Sequence, residues 1–65
     1  MQKHLRQILR MPYHRVYIQR ENGYHWQRMT KTYIRGNLKN RFFMDRVIEI
    51  NTHHNMNYST ITLRG

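Results

Sequence analysis

The chain has 65 residues, twelve Lys and Arg against three Asp and Glu, and no Cys. Its length allows one small domain over residues 1–65, because a second core would have too few residues. Without Cys, no disulfide or thiolate metal site can form. No run approaches the ~18 apolar residues of a membrane span, and the charged first ten residues do not read as a signal peptide, so a cytoplasmic location is expected.

The apolar residues are 38% of the chain and include no Ala. The core must be drawn from six Ile, four Leu, two Val, two Phe, five Met and some of the aromatics. A domain of this size buries only about 60% of its unfolded surface, so its stability is marginal and self-association into a homo-oligomer is plausible. The net charge is +9, and nine of the twelve cationic residues are Arg. A guanidinium forks onto phosphate and stacks on flat rings, whereas an ammonium is a hydrated point charge. This concentration of positive charge weakens the compact state by self-repulsion, which a polyanion relieves. Nucleic acid is the expected partner, and no membrane association is expected.

Met1 to Arg10 reads as a short helix. Leu5, Ile8 and Leu9 form an apolar stripe, and Lys3, Arg6 and Arg10 line another side. Pro12 disfavours helix at Met11 and ends the segment. Ten residues are too few for an isolated helix, so this one must dock on something.

Residues 13–34 read as a β-hairpin. Tyr13 to Arg20 alternates and is rich in β-formers, Asn22-Gly23 is a strong hairpin signal, and a second strand runs from Tyr24 to about Ile34. Gly36, Asn37 and Asn40 then mark a loop. Residues 41–64 have two readings. Val47 to Thr52 and Tyr58 to Leu63 favour a second hairpin, with residues 53–57 as its turn. Alternatively Leu38 to Ile48 is helical and only one strand follows. The expected class is α+β and mainly antiparallel: a short N-terminal helix, then a four-stranded antiparallel sheet or small barrel, with α-β-β-α-β as the alternative.

A two-residue Asn-Gly turn places Glu21 opposite Tyr24. Val16 then faces Met29, Tyr17 faces Arg28 and Ile18 faces Gln27. One face carries His14, Val16, Ile18 and Met29 and can meet the core. The other carries Tyr13, Arg15, Tyr17, Trp26, Arg28 and Thr30, with Tyr24 at the tip. Aromatics interleaved with arginines on a sheet form a platform for unstacked bases, each stack contributing about 1–3 kcal/mol. Packing alone also favours Tyr and Trp in strands, so Trp26 as a core residue is the competing reading. In the second hairpin Ile48, Ile50, Ile61 and Leu63 are expected inside, with Val47, Glu49, Tyr58, Thr60 and Thr62 outside.

Three carboxylates, Glu21, Asp45 and Glu49, do not suffice for two-metal phosphodiester chemistry. No phosphate-loop, dinucleotide or zinc spacing is present. Adjacent His53 and His54 point apart in a strand and do not chelate one ion there. No catalytic residue, metal or cofactor is expected. The one enzyme reading left is a metal-free ribonuclease using His14, His25, Arg15, Arg28 and Tyr17, but the two His fall on the face opposite Tyr17 and Arg28.

The expected function is binding of single-stranded nucleic acid, RNA in preference to DNA. Arg15 and Arg28 with the helix stripe Lys3, Arg6 and Arg10 would track phosphates, while Tyr17 and Trp26, with Tyr13 and Tyr24 nearby, would stack bases. About four to six phosphate contacts would give a log–log salt slope of about −3 to −5. The alternative is an accessory protein of the small phage type. It would inhibit a nucleic-acid enzyme or toxin by docking on its acidic surface, or by joining it in a ribonucleoprotein complex.

Overall fold

The computed structural model describes residues 2–65; Met1, where the expected helix begins, lies outside the described residues. Helix α1 (Gln2–Arg10) is followed by strands β1 (Arg15–Arg20) and β2 (Gln27–Met29). Two short helices, α2 (Lys31–Gly36) and α3 (Arg41–Arg46), lead to strands β3 (Val47–His53) and β4 (Tyr58–Leu63). A single 3-10 turn over His54–Met56 joins the last two strands, and Asn57 closes it in the left-handed region at φ 56°. An Asx side chain tolerates that conformation better than most.

The fold is the expected α+β class, a short N-terminal helix followed by a four-stranded sheet. The sheet is open rather than a closed barrel, and its order is β2-β1-β4-β3. Both outer pairings are antiparallel, while the central β1–β4 pairing is parallel. The sheet is therefore mixed. The connection through α2 and α3 carries the chain from one sheet edge to the other, which lets β4 insert beside β1.

The β1–β2 register is the expected one, with Val16 opposite Met29, Tyr17 opposite Arg28 and Ile18 opposite Gln27. The turn differs. The tight turn closes through Gly23 N–H donating to the Arg20 carbonyl at 2.8 Å, one residue earlier than Asn-Gly chemistry suggests, and the ladder resumes only at Gln27.

The second strand also ends early. Thr30, expected on the aromatic face, instead caps α2, its Oγ1 accepting from the Tyr33 N–H at 3.1 Å. Thr32, Tyr33 and Ile34 are helical despite their β-branched and aromatic character. Docking Ile34 fully into the core outweighs intrinsic β-propensity. The two readings of residues 38–48 combine. Asn40 caps α3 by accepting from the N–H groups of Phe42 and Phe43, and β3 starts directly after Arg46.

One core joins all layers: Leu5 and Ile8 of α1, Val16 and Ile18 of β1, Ile34 of α2, Phe43 of α3, Val47 of β3 and Ile61 of β4. The helices thus cover one face of the sheet. The expected inside–outside alternation fails at the start of β3. Val47 is 5% exposed, while Ile48, expected in the core, is 42% exposed. The register explains the inversion: Val47 pairs with Leu63 but Glu49 with Thr62, so Ile48 is an inserted, bulged residue. Beyond the bulge Ile50 faces Ile61, as alternation requires. Thr62, expected outside, points away from the helices but is buried, a short side chain in a central strand between Gln19 and Glu49.

Candidate nucleic-acid interface

The sheet face away from the helices is built of rows set by register. Arg15 lies beside Tyr58, and Tyr58 beside His53. In the next row Arg28, Tyr17, Thr60 and Asn51 follow one another across all four strands. Trp26, just before β2, closes a third side. Arg15, Tyr17, Trp26, His53, Tyr58 and Thr60 line an open cleft of about 500 Å³.

The rings in this cleft are held in defined orientations. Tyr58 meets Tyr17 edge to face, with centroids 5.9 Å apart at 84°. His53 stacks on Tyr58 at 4.4 Å and 22°. Both geometries are favourable for aromatic pairs, and they fix the rings before any ligand arrives. Trp26 is 46% exposed, so it is not a core residue. Arg15 donates from its Nη2 to the Met56 carbonyl at 3.2 Å, which anchors the guanidinium at the rim.

Of the residues named from sequence, Arg15, Tyr17, Trp26 and Arg28 gather on this face. Tyr24 and Tyr13 are 94% and 93% exposed; Tyr24 sits in the loop before β2, and Tyr13 in the turn between α1 and β1. Lys3, Arg6 and Arg10 are exposed on α1, whose Leu5 and Ile8 dock on the opposite face of the sheet. The structure therefore does not bring the helix stripe to the aromatic cleft.

Comparison of the chain with protein families, curated proteins and solved structures gives no match.

Sequence reasoning missed Tyr58 and Thr60 as neighbours of β1, and His53 as the neighbour of Tyr58. The alternation had turned Tyr58 and Thr60 outward, so half of the signal was present. The missing half was the parallel β1–β4 pairing, which seats Tyr58 next to Arg15 and Thr60 next to Tyr17.

Behind the cleft lies a polar chain that is buried at His14 and Ser59 and half-buried at Thr52 and His4. His14 Nε2 is 2.6 Å from Ser59 Oγ, Ser59 Oγ donates to Thr52 Oγ1 at 3.0 Å, and Thr52 Oγ1 is 3.0 Å from His4 Nε2. It ties α1 to β3, and β1 to β3 through β4. Burial, and then the charges of Lys31, His54 and Arg15, hold the His14 imidazole below the ordinary histidine value of 6.5. Ser59 is fully buried, so the His14–Ser59 contact lacks the access an attacking hydroxyl needs. The residues named for metal-free hydrolysis do not converge as a set: His14, Arg15 and Arg28 line one concavity at the end of the β1–β2 ladder, but Tyr17 lines the aromatic cleft and His25 lies in the loop before β2. Among the described residues, no group of three or more His, Asp or Glu is placed to hold a metal ion. No helix among them is long and apolar enough to cross a membrane.

Proposed function

We propose that the protein binds single-stranded nucleic acid, RNA in preference to DNA, on the open face of its sheet. The observation that carries this reading is the cleft in which Tyr17, Trp26, His53 and Tyr58 stand beside Arg15 with no helix over them. Uncovered rings on a flat sheet accept the faces of unstacked bases, and neighbouring Arg meets phosphate or stacks on the base. A duplex keeps its bases stacked inside and gains nothing from the rings. Trp26 is the only Trp and lines the cleft, so its emission reports occupancy directly. A short single-stranded RNA should change that emission and bind more tightly than its own duplex. Equal affinity for both forms, with unaltered emission, would reject the reading.

A second reading has its own observation. Lys3, Arg6 and Arg10 form a basic surface on α1 that the aromatic cleft does not use. That surface suits an acidic protein partner. Pull-down with and without nuclease separates the two: a protein partner that survives nuclease, and is lost on reversing the α1 charges, favours the second.

A further inference from the structure

Next to the aromatic cleft is a second concavity of about 590 Å³, at the end of the β1–β2 ladder. It is lined by Tyr13, His14, Arg15, Arg28, Thr30 and Lys31. The α1–β1 turn and the β2–α2 junction meet here, and Lys31 Nζ, donating to the Met11 carbonyl, ties them together. An ammonium has three donors, so two remain for another acceptor. Tyr13 holds its side chain at the rim through a left-handed backbone at φ 59°, a costly conformation for a bulky residue.

The charge here is one-sided. Arg15, Arg28 and Lys31 bring three cations to one concavity, and none of Glu21, Asp45 and Glu49 lines it. Like charges this close repel, and the repulsion is relieved by an anion with several acceptor oxygens. Arg15 lines both concavities, and Arg28 is the cross-strand neighbour of Tyr17. An anion held here lies one residue from the ring platform.

The geometry points to this second concavity as a phosphate subsite, taking the phosphate that flanks the base stacked in the aromatic cleft, with Arg15, Arg28 and Lys31 as its ligands. The inference rests on the stacking reading for its neighbour but has its own observables. His14 forms part of the wall, faced by Lys31 from α2, Arg15 from the start of β1, Arg28 from β2, His54 from the 3-10 turn and Tyr13 from the preceding turn. An anion among these groups offsets their repulsion, so occupancy raises the pH at which the His14 imidazole titrates.

The test uses the full chain at low salt with four probes: inorganic phosphate, uridine, and the 3′- and 5′-monophosphates of uridine. Trp26 emission reads the aromatic cleft, and the His14 ring resonances, titrated against pH, read the second concavity. At least one monophosphate should bind about tenfold more tightly than uridine, a difference of about 1.4 kcal/mol. Inorganic phosphate alone should move the His14 titration upward. Lys31→Gln and Arg28→Gln should remove both effects, and Lys31→Gln, which lies outside the aromatic cleft, should leave the weak uridine response of Trp26 intact. Arg28→Lys, which keeps a charge but not the fork, should retain only part of the gain.

If uridine and both monophosphates bind equally while Trp26 responds, the subsite is overturned and the stacking reading stands. If Trp26 ignores all probes but phosphate moves His14 in a Lys31-dependent way, the anion site stands and the stacking reading fails. If phosphate leaves the His14 titration unchanged, the subsite is overturned.

Discussion

The two faces of the sheet follow the same alternation and end in opposite states. On one, Val16, Ile18 and Ile61 are covered by Leu5, Ile8, Ile34 and Phe43. On the other, no helix covers the exposed Trp26 and His53 or the half-buried Tyr17 and Tyr58, which lie beside Arg15 and Arg28. The molecule measures 29 × 26 × 16 Å, and the helices cover only one face of its sheet. In a chain so short of apolar residues, aromatics would be the natural supplement to the core. Instead Tyr17, Trp26 and Tyr58 lie on the side the helices leave uncovered, and the proposed base-stacking function rests on this placement.

Truncation should separate the faces most sharply. Ile34→Ala or Ile61→Ala removes a fully buried side chain and should cost about 2–5 kcal/mol. Small domains have only about 5–15 kcal/mol of stability, so a large fall in thermal midpoint by circular dichroism is expected. Trp26→Ala, at 46% exposure, should move the midpoint little. If Trp26→Ala unfolds the domain, the distinction between the faces is wrong.

Binding should show the reverse order. Trp26→Ala and Tyr58→Ala should each weaken single-stranded RNA by about 1–3 kcal/mol, the contribution of one base–ring stack. Ile48→Ala, at the bulge, should leave affinity unchanged in a filter-binding or fluorescence titration. Wild-type affinity in both ring variants would mean that the open face is not where the bases lie.

Much of this contrast was legible in the sequence, and the failures have physical causes. The β1–β2 register and the inward set His14, Val16, Ile18 and Met29 follow from alternation, which one buried face enforces strongly. Pairing between strands distant in sequence is not encoded in any local period. The parallel β1–β4 contact, and with it the cleft neighbours His53, Tyr58 and Thr60, was therefore out of reach. The bulge at Ile48 has no sequence signature either, and it reversed Val47 and Ile48. Residues 32–34 look like a strand because propensity is a weak term beside the burial of Ile34. The missing link between the α1 stripe and the hairpin has the simplest cause. Periodicity tells which side of a helix is apolar but not which face of a sheet it will cover.

The polar chain at the core boundary should make stability depend on pH. In the folded state the His14 imidazole binds its proton less readily than the ordinary value of 6.5, so the unfolded chain holds more protons in that range. Stability should be fully present above pH 6.5 and fall as pH drops through the interval between that value and the lower folded one. Denaturant titrations at stepped pH read this directly. His14→Gln, which retains a polar partner for Ser59, should flatten this part of the profile. A slope unchanged in that variant would show that His14 is not its source.

The smallest expected effect belongs to the helix side and tests the separation of the faces most finely. If phosphate contacts come only from Arg15, Arg28 and Lys31, each contributing ~0.7, the log–log salt slope on single-stranded RNA should be about −2. If the strand also wraps over α1 to reach Lys3, Arg6 and Arg10, it should be about −4. The double variant Arg6→Glu, Arg10→Glu leaves Leu5 and Ile8 in place, so the fold should persist. It should lower affinity only slightly, through long-range field that added salt screens within about 10 Å at 0.1 M. Arg28→Gln should instead reduce the slope by about one contact, because Arg28 lines the proposed phosphate subsite. A loss of slope in the α1 variant matching that of Arg28→Gln would put one nucleic acid on both faces. An unchanged slope with loss of a nuclease-resistant protein partner would give α1 a binding role of its own.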